Sequence, residues 1–163
     1  MQGAEMMEPR KMSDSRTIQT KLVLPPDANH LDTIFGGKVL AYIDEIAAIT
    51  AMKHARTPVV TASIDSVDFL SSAVVGDVLE LEANVSSTGR TSMEVYVMVH
   101  SANPLTNERK MTTESFLTMV AMGPDNRPTP VPGVIPESEG EKRIFETAPA
   151  RRLHRKQRME MEH

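Results

Sequence analysis

Apolar residues recur at helical spacing through one proline-free stretch, about residues 37–54. Val39, Leu40, Ile43, Ile46 and Ala47, with Thr50, fall on one face. The pattern predicts a long helix with a buried side. Before it, residues 17–24 read as a first strand, broken by Pro25, Pro26 and Asp27, and residues 29–35 read as a loop. After it, Thr57 and Pro58 force the chain out of the helix. Four strand-like runs follow, over residues 59–69, 78–86, 91–101 and about 110–122. In the second, Leu79, Leu81, Ala83 and Val85 alternate with Glu80, Glu82 and Asn84; in the third, Met93, Val95, Val97 and Val99 share one side. In the first, Val60, Ala62 and Ile64 alternate, then the phase changes before Val67 and Phe69. That change predicts a β-bulge near Asp65, which turns Asp65 and Asp68 to solvent. The proline-rich stretch up to Pro136 is expected to lie extended on the surface. A last helix over residues 138–161 is marginal, because Pro149 interrupts it.

The order is therefore strand, long helix, four antiparallel strands. One helix on one face of a five-stranded sheet satisfies the layer rule, and makes the fold α+β. Aliphatic residues in both phases of residues 91–122 imply a second covered surface, a face or an edge, and self-association covers it most simply. At 163 residues the chain holds one domain. We place a flexible arm at residues 1–14, the domain at 15–132, and an extended segment with a basic helical tail at 133–163.

The net charge of −4 hides an asymmetry: residues 150–163 carry +3 and the rest −7. An acidic body argues against nucleic acid as a partner. Arg151, Arg152, Arg155, Lys156 and Arg158 read as a solvated helix end, or else as a clamp for phosphates. Zero cysteines exclude a disulfide framework, a thiolate metal site and a cysteine nucleophile. No apolar run approaches a membrane span, and residues 1–15 lack a secretory apolar core. These features suit a cytoplasmic protein without a membrane partner. The histidines lack metal-ligand spacing, so no metal is expected.

Candidate chemistry gathers around the long helix. Gly36 and Gly37 open it, where free amides and the helix dipole favour negative oxygen and a ligand can approach the backbone closely. Asp44 lies two turns further in, beside Leu40, Ala47, Ala48 and Ala51. Asn29 precedes the glycines. Carboxylate, amide and oxyanion donors are the inventory of a hydrolytic site. A surface carboxylate and an ordinary turn amide fit the pattern as well, and at this level both readings stand.

The run Asn29, Gly36, Gly37, Asp44 and Glu45, with its spacing, resembles the active-site segment of hotdog-fold acyl-CoA thioesterases of the cytosolic acyl-CoA hydrolase type. Asp65 and Phe69 followed by Val75, Gly76 and Asp77, the hairpin Thr88 to Ser92, and the last strand at Phe116 to Ala121 followed by Arg127 and Pro128 extend the likeness over residues 17–132. The resemblance implies a hotdog fold, one long central helix wrapped by a curved five-stranded antiparallel sheet. It implies a dimer with the site between subunits, and a hexamer built as a trimer of dimers. It implies hydrolysis of acyl-CoA thioesters, with Asp44 as general base or nucleophile, Asn29 positioning water or carbonyl, and Gly36 or Gly37 polarising the carbonyl. No cofactor is implied, since coenzyme A is part of the substrate. Arg90, with Thr91 and Ser92, is expected to hold its phosphates, and Phe35 and Lys38 to touch the substrate. Competing functions are a hotdog dehydratase, which needs a histidine–carboxylate pair, a non-catalytic acyl-CoA binding module, and a tail-mediated membrane or nucleic-acid contact.

Overall fold

The computed structural model describes residues 7–162. In chain order the elements are β1 (Arg10–Lys11), α1 (Met12–Ser15), β2 (Thr17–Leu22), a 3-10 turn at Pro25–Asp27, α2 (Gly36–Ala55), β3 (Val59–Phe69), β4 (Val78–Thr88), β5 (Ser92–Ala102), β6 (Arg109–Ala121), β7 (Val134–Ile135) and α3 (Glu139–Glu162). Five strands form one antiparallel sheet in the order β2-β4-β5-β6-β3, so β2 and β3 are its edges.

Helix α2 lies along one face of this sheet. Its buried residues Val39, Ile43, Ile46, Ala47, Thr50 and Ala51 are each at most 1 % exposed. They meet Leu79, Leu81, Ala83 and Val85 of β4, Met93, Val95, Val97 and Val99 of β5, and Leu117, Met119 and Ala121 of β6, all at 0 %. The alternation read from the sequence thus faces the helix, and each large aliphatic contributes roughly 1.5–3 kcal/mol of burial. Helix α2 ends where Arg56 turns left-handed (φ 58°) and its amide bonds back to the Met52 carbonyl.

The outer face is covered by the chain itself, where self-association was the simplest expectation. Helix α3 runs unbroken through Pro149 and lays its arginines onto the sheet. Arg151 donates to both oxygens of Glu94 at 2.9 and 2.8 Å, and stacks 4.1 Å from the centre of the Phe116 ring. Arg155 donates to Glu94 at 3.0 Å and pairs with Asp65 at 2.7 Å. Ser86 Oγ also donates to Glu94, at 2.6 Å. Glu94 is 5 % exposed. Arg151, Arg155 and Arg158 are therefore docked rather than solvated, while Arg152 and Lys156 stay exposed; Asp65 is not turned to solvent, and Asp68 is. Removing one partner from such a buried charge cluster typically costs about 3–5 kcal/mol. That anchoring explains why a helix marginal by composition forms.

The described part of the expected arm is packed. Arg10 and Lys11 pair in parallel with Val134 and Ile135, and Met12 is fully buried. Residues 1–6 of the expected arm lie outside the described residues. The proline-rich stretch is likewise tied down at its end: Val131 is 6 % and Val134 7 % exposed, and the Val131 amide donates to the Arg90 carbonyl at 2.9 Å. His54 sits beneath both segments, 1 % exposed. Its Nε2 lies 2.9 Å from the Pro132 carbonyl, and Arg10 donates to its backbone carbonyl. Among the described residues no helix is long and apolar enough to cross a membrane.

Burial pushes the His54 imidazole below its ordinary pKa of 6.5, and Arg10 adds to this, against the Pro132 hydrogen bond. A histidine held neutral in the fold but free to protonate when unfolded stabilises fully above the unfolded value. That stability is lost as pH falls below about 6.5 toward the depressed folded value. Melting curves from pH 7.5 to 5 should therefore fall more steeply for the native chain than for His54→Gln. Parallel slopes would contradict the buried neutral state.

Candidate active site

Helix α2 begins without a cap. Phe35 occupies the capping position with extended backbone, no side chain accepts from the first turn, and that turn holds no acid. The positive end of a 20-residue helix is thus open at Gly36 and Gly37, both exposed. Asn29 organises the loop leading there. Its Oδ1 accepts from the Leu31 amide at 2.9 Å and the Thr33 amide at 3.2 Å, and Asp32 takes a left-handed φ of 59° between them. This use of the oxygen leaves the side-chain NH2 as the end that can reach a ligand. The Ile34 amide donates to Ala73 and that of Phe35 to Asp27, at 2.9 and 3.0 Å, so the loop is held on both sides. Asn29, Gly36, Phe69, Leu70 and Ser71 line one cavity of about 450 Å³.

Asp44 belongs to a different cluster. Eight residues separate it from Gly36, roughly 12 Å along the helix axis. Its partner is Thr61 on β3, whose hydroxyl donates to Asp44 Oδ1 at 2.7 Å. The second oxygen of Asp44 is left for another donor. One subunit therefore brings Asn29 and the glycine pair together, and Asp44 and Thr61 together, but not the two pairs to each other.

Thr61 is the residue the sequence reading missed. Strict alternation through Val60, Ala62 and Ile64 points Thr61 away from the helix. The strand instead shifts register twice, between Thr61 and Ser63 and between Ile64 and Ser66. The expected bulge at Asp65 is present, and a second one lies at Ala62. Thr61, Ile64 and Val67 consequently face α2, opposite Met119, Leu117 and Ser115. Val60 is turned out and 49 % exposed. A period of three rather than two in β3 was the only signal available.

The other expected residues lie apart. Arg90 is exposed at the β4–β5 hairpin, with Thr91 and Ser92 half-buried. The hairpin lies at the Thr61 end of the sheet, since Met93 pairs with Met119 and Met119 with Thr61. Lys38 is partly engaged, 3.5 Å from Asp27 and above the Tyr42 ring at 5.4 Å, while Phe35 is 53 % exposed beside the helix start. Asp32 and His30 are exposed, and Glu45 pairs with Lys21 at 3.6 Å. Among the described residues no group of three metal-binding side chains converges.

Comparison with known proteins matches residues 31–107 to the thioesterase superfamily. An uncharacterised acyl-CoA thioester hydrolase of Bacillus subtilis is 44 % identical over 154 residues, covering 94 % of this chain and 90 % of its own. A hexameric acyl-CoA thioesterase of known structure is 69 % identical, with a TM-score of 0.92 over 94 % of this chain and 98 % of the other. An acyl-CoA hydrolase from Staphylococcus aureus, solved with butyryl coenzyme A, is 47 % identical, with a TM-score of 0.90 over 94 % of each chain. It has also been solved with alanine replacing one aspartate, one threonine or one asparagine. Those variants are 46 % identical to this chain, with TM-scores of 0.90 to 0.92, covering 94 or 95 % of this chain and 93 to 96 % of theirs.

The glycine pair tolerates a methyl group in the isolated fold. A Cβ on Gly37 meets nothing within 4 Å, and one on Gly36 meets only the Phe69 ring at 3.3 Å, a side chain 55 % exposed and free to swing. Gly36→Ala and Gly37→Ala should each change stability by no more than about 1 kcal/mol in urea titrations. A larger loss for either would mean that the glycine serves the fold rather than a ligand.

Proposed function

This chain belongs to the thioesterase superfamily, as an acyl-CoA thioester hydrolase of the hotdog fold, and from that premise we propose how its residues perform the reaction. The observation that carries the proposal is the Thr61–Asp44 hydrogen bond facing an open sheet edge. In the S. aureus hydrolase the substituted asparagine, aspartate and threonine each carry a number one lower than Asn29, Asp44 and Thr61. The same three residue types at the same spacing support reading these positions as one site.

The site is completed across a two-fold axis. β3 is an unpaired edge of 11 residues with exposed Val60 and Phe69. Helix α2 runs opposite to it, with Gly36 near Phe69 and Asp44 near Thr61. Antiparallel pairing of two β3 edges sets the Thr61 end of one subunit beside the Phe69 end of the other. Asp44 and Thr61 then face Asn29 and Gly36 of the partner subunit. Hexameric relatives support a further assembly of three such dimers.

The thioester carbonyl lies at the uncapped start of α2, where the Gly36 or Gly37 amide stabilises the developing oxyanion. The Asn29 NH2 donates to the same oxygen or orients the water. Thr61 fixes one oxygen of Asp44, and the other activates water or attacks the carbonyl directly. Arg90, with Thr91 and Ser92, meets the coenzyme A phosphates, a bidentate match for a guanidinium. Phe35 and Lys38 border the entrance. The enzyme is cytoplasmic and needs no cofactor, coenzyme A entering only as part of the substrate.

Thiol release from a panel of short to long acyl-CoAs tests the proposal. Asp44→Asn should lose about 10²–10³ in turnover or more, with assembly intact. Thr61→Ala should lose about tenfold or more, because the carboxylate remains but is no longer oriented. An Asp44→Asn hexamer with near-native turnover refutes the role of that carboxylate. Coenzyme A binding without release from any acyl-CoA would favour a non-catalytic binding module.

A further inference from the structure

We infer that the C-terminal helix positions the catalytic strand: Arg155 and Arg158 of α3, acting through Asp65, fix the second of the two bulges that present Thr61 to Asp44. The inference rests on the reading of Thr61 and Asp44 as catalytic. Asp65 is the extra residue of the second bulge, four positions after Thr61. Its carboxylate is only 10 % exposed although β3 is an edge strand with much of its length open to solvent. Four neighbours converge on it. Ser63 Oγ donates to Oδ1 at 2.5 Å and Thr118 Oγ1 to Oδ2 at 3.1 Å. Arg155 Nε lies 2.7 Å from Oδ2, and Arg158 Nη2 lies 3.5 Å from Oδ1. Arg158 also donates to the Asp65 backbone carbonyl at 2.9 Å, gripping the bulge itself.

Pairing with β6 alone does not require this register. A bulge is an insertion that pairing tolerates, and one-residue slips on an edge strand reverse which side chains face the core. If Asp65 were released and its bulge alone relaxed to regular pairing, the strand before it would slip by one residue against β6. Thr61 would move opposite Val120 and turn outward, and Asp44 would lose its donor. Helix α3 is therefore a back-brace for a residue on the opposite face. Its other anchors hold it to the neighbouring strands: Arg151 donates to Glu94 of β5 and Arg152 to Ser87 of β4.

Kinetics of acyl-CoA hydrolysis, with the substrate released fastest by the native enzyme, tests this. Asp65→Asn should lower kcat about 10- to 100-fold, the loss typical of a misplaced reacting group, with KM within about twofold. In a Thr61→Ala background the same substitution should change kcat less than about twofold, because the residue it positions is gone. Arg155→Gln should lower kcat and Arg155→Lys should restore part of it. Arg151→Gln should lower the melting temperature yet keep kcat within about twofold. Hydrogen exchange on Arg155→Gln gives a readout independent of activity: amides of residues 60–66 should exchange faster, with those of β4 unchanged. Native kcat in Asp65→Asn overturns the inference alone, leaving the catalytic site standing. So do equal losses in both backgrounds, or unchanged exchange in β3. Native turnover in Thr61→Ala overturns the reading of the site and this inference together.

Discussion

Strand β3 pairs with β6 through two register shifts, at Ala62 and at Asp65. Each inserts one residue, so the side chains that face α2 are spaced by three instead of two. This spacing puts the Thr61 hydroxyl 2.7 Å from Asp44 and leaves Val60 and Ala62 on the outside. The same insertions bring Asp65 to the outer face, where it meets the arginines of α3. A regular strand registered through Ile64 would bury Val60 and Ala62 and expel Thr61, but it would turn Val67 outward as well. The two bulges keep Thr61, Ile64 and Val67 on the helix side together, and the Asp65 cluster holds the second of them.

The helix start depends on a different economy. An ordinary helix of this length would recruit a serine, threonine or aspartate to satisfy its first amides. Here Phe35 precedes two glycines, and the nearby polar side chain, Asn29, spends its oxygen on its own loop. The forgone cap leaves the amides and the positive dipole end unspent beside a cavity. Stability is recovered further along, where α2 buries its apolar face at 0–1 % exposure against three strands. The closed core and the open terminus are thus two ends of one helix.

Much of this was legible in the sequence. The α2 face and the alternation of β4 and β5 follow from spacing alone, because each is a local consequence of a helical or strand period; at Asp44 the spacing left a surface carboxylate and a reactive one equally open. The order of the elements came from the same periods, and the hotdog likeness added the curved sheet around the helix. Thr61 was hidden because two bulges break the period that sequence reading relies on, and only one of them announces itself through a charged residue. The docking of α3 was hidden for a similar reason. Arg151, Arg155 and Arg158 look like a solvated stripe until Glu94 and Asp65, distant in sequence, are seen beneath them. Met12 and the segment around Val131 were misjudged as surface because short pieces carry no period; only long-range packing buries them.

The central claim is a site shared between subunits, with Asp44 and Thr61 from one and Asn29 and the glycine pair from the other. Subunit mixing tests it most directly. Asp44→Ala and Asn29→Ala subunits, each inactive alone, would be unfolded together, refolded and assayed for thiol release. If the site is shared, half the dimers are mixed and each mixed dimer regains one intact site, so activity should return to about a quarter of native. A mixture that exchanges subunits freely yet stays as inactive as its parents would contradict the account and confine the site to a single chain.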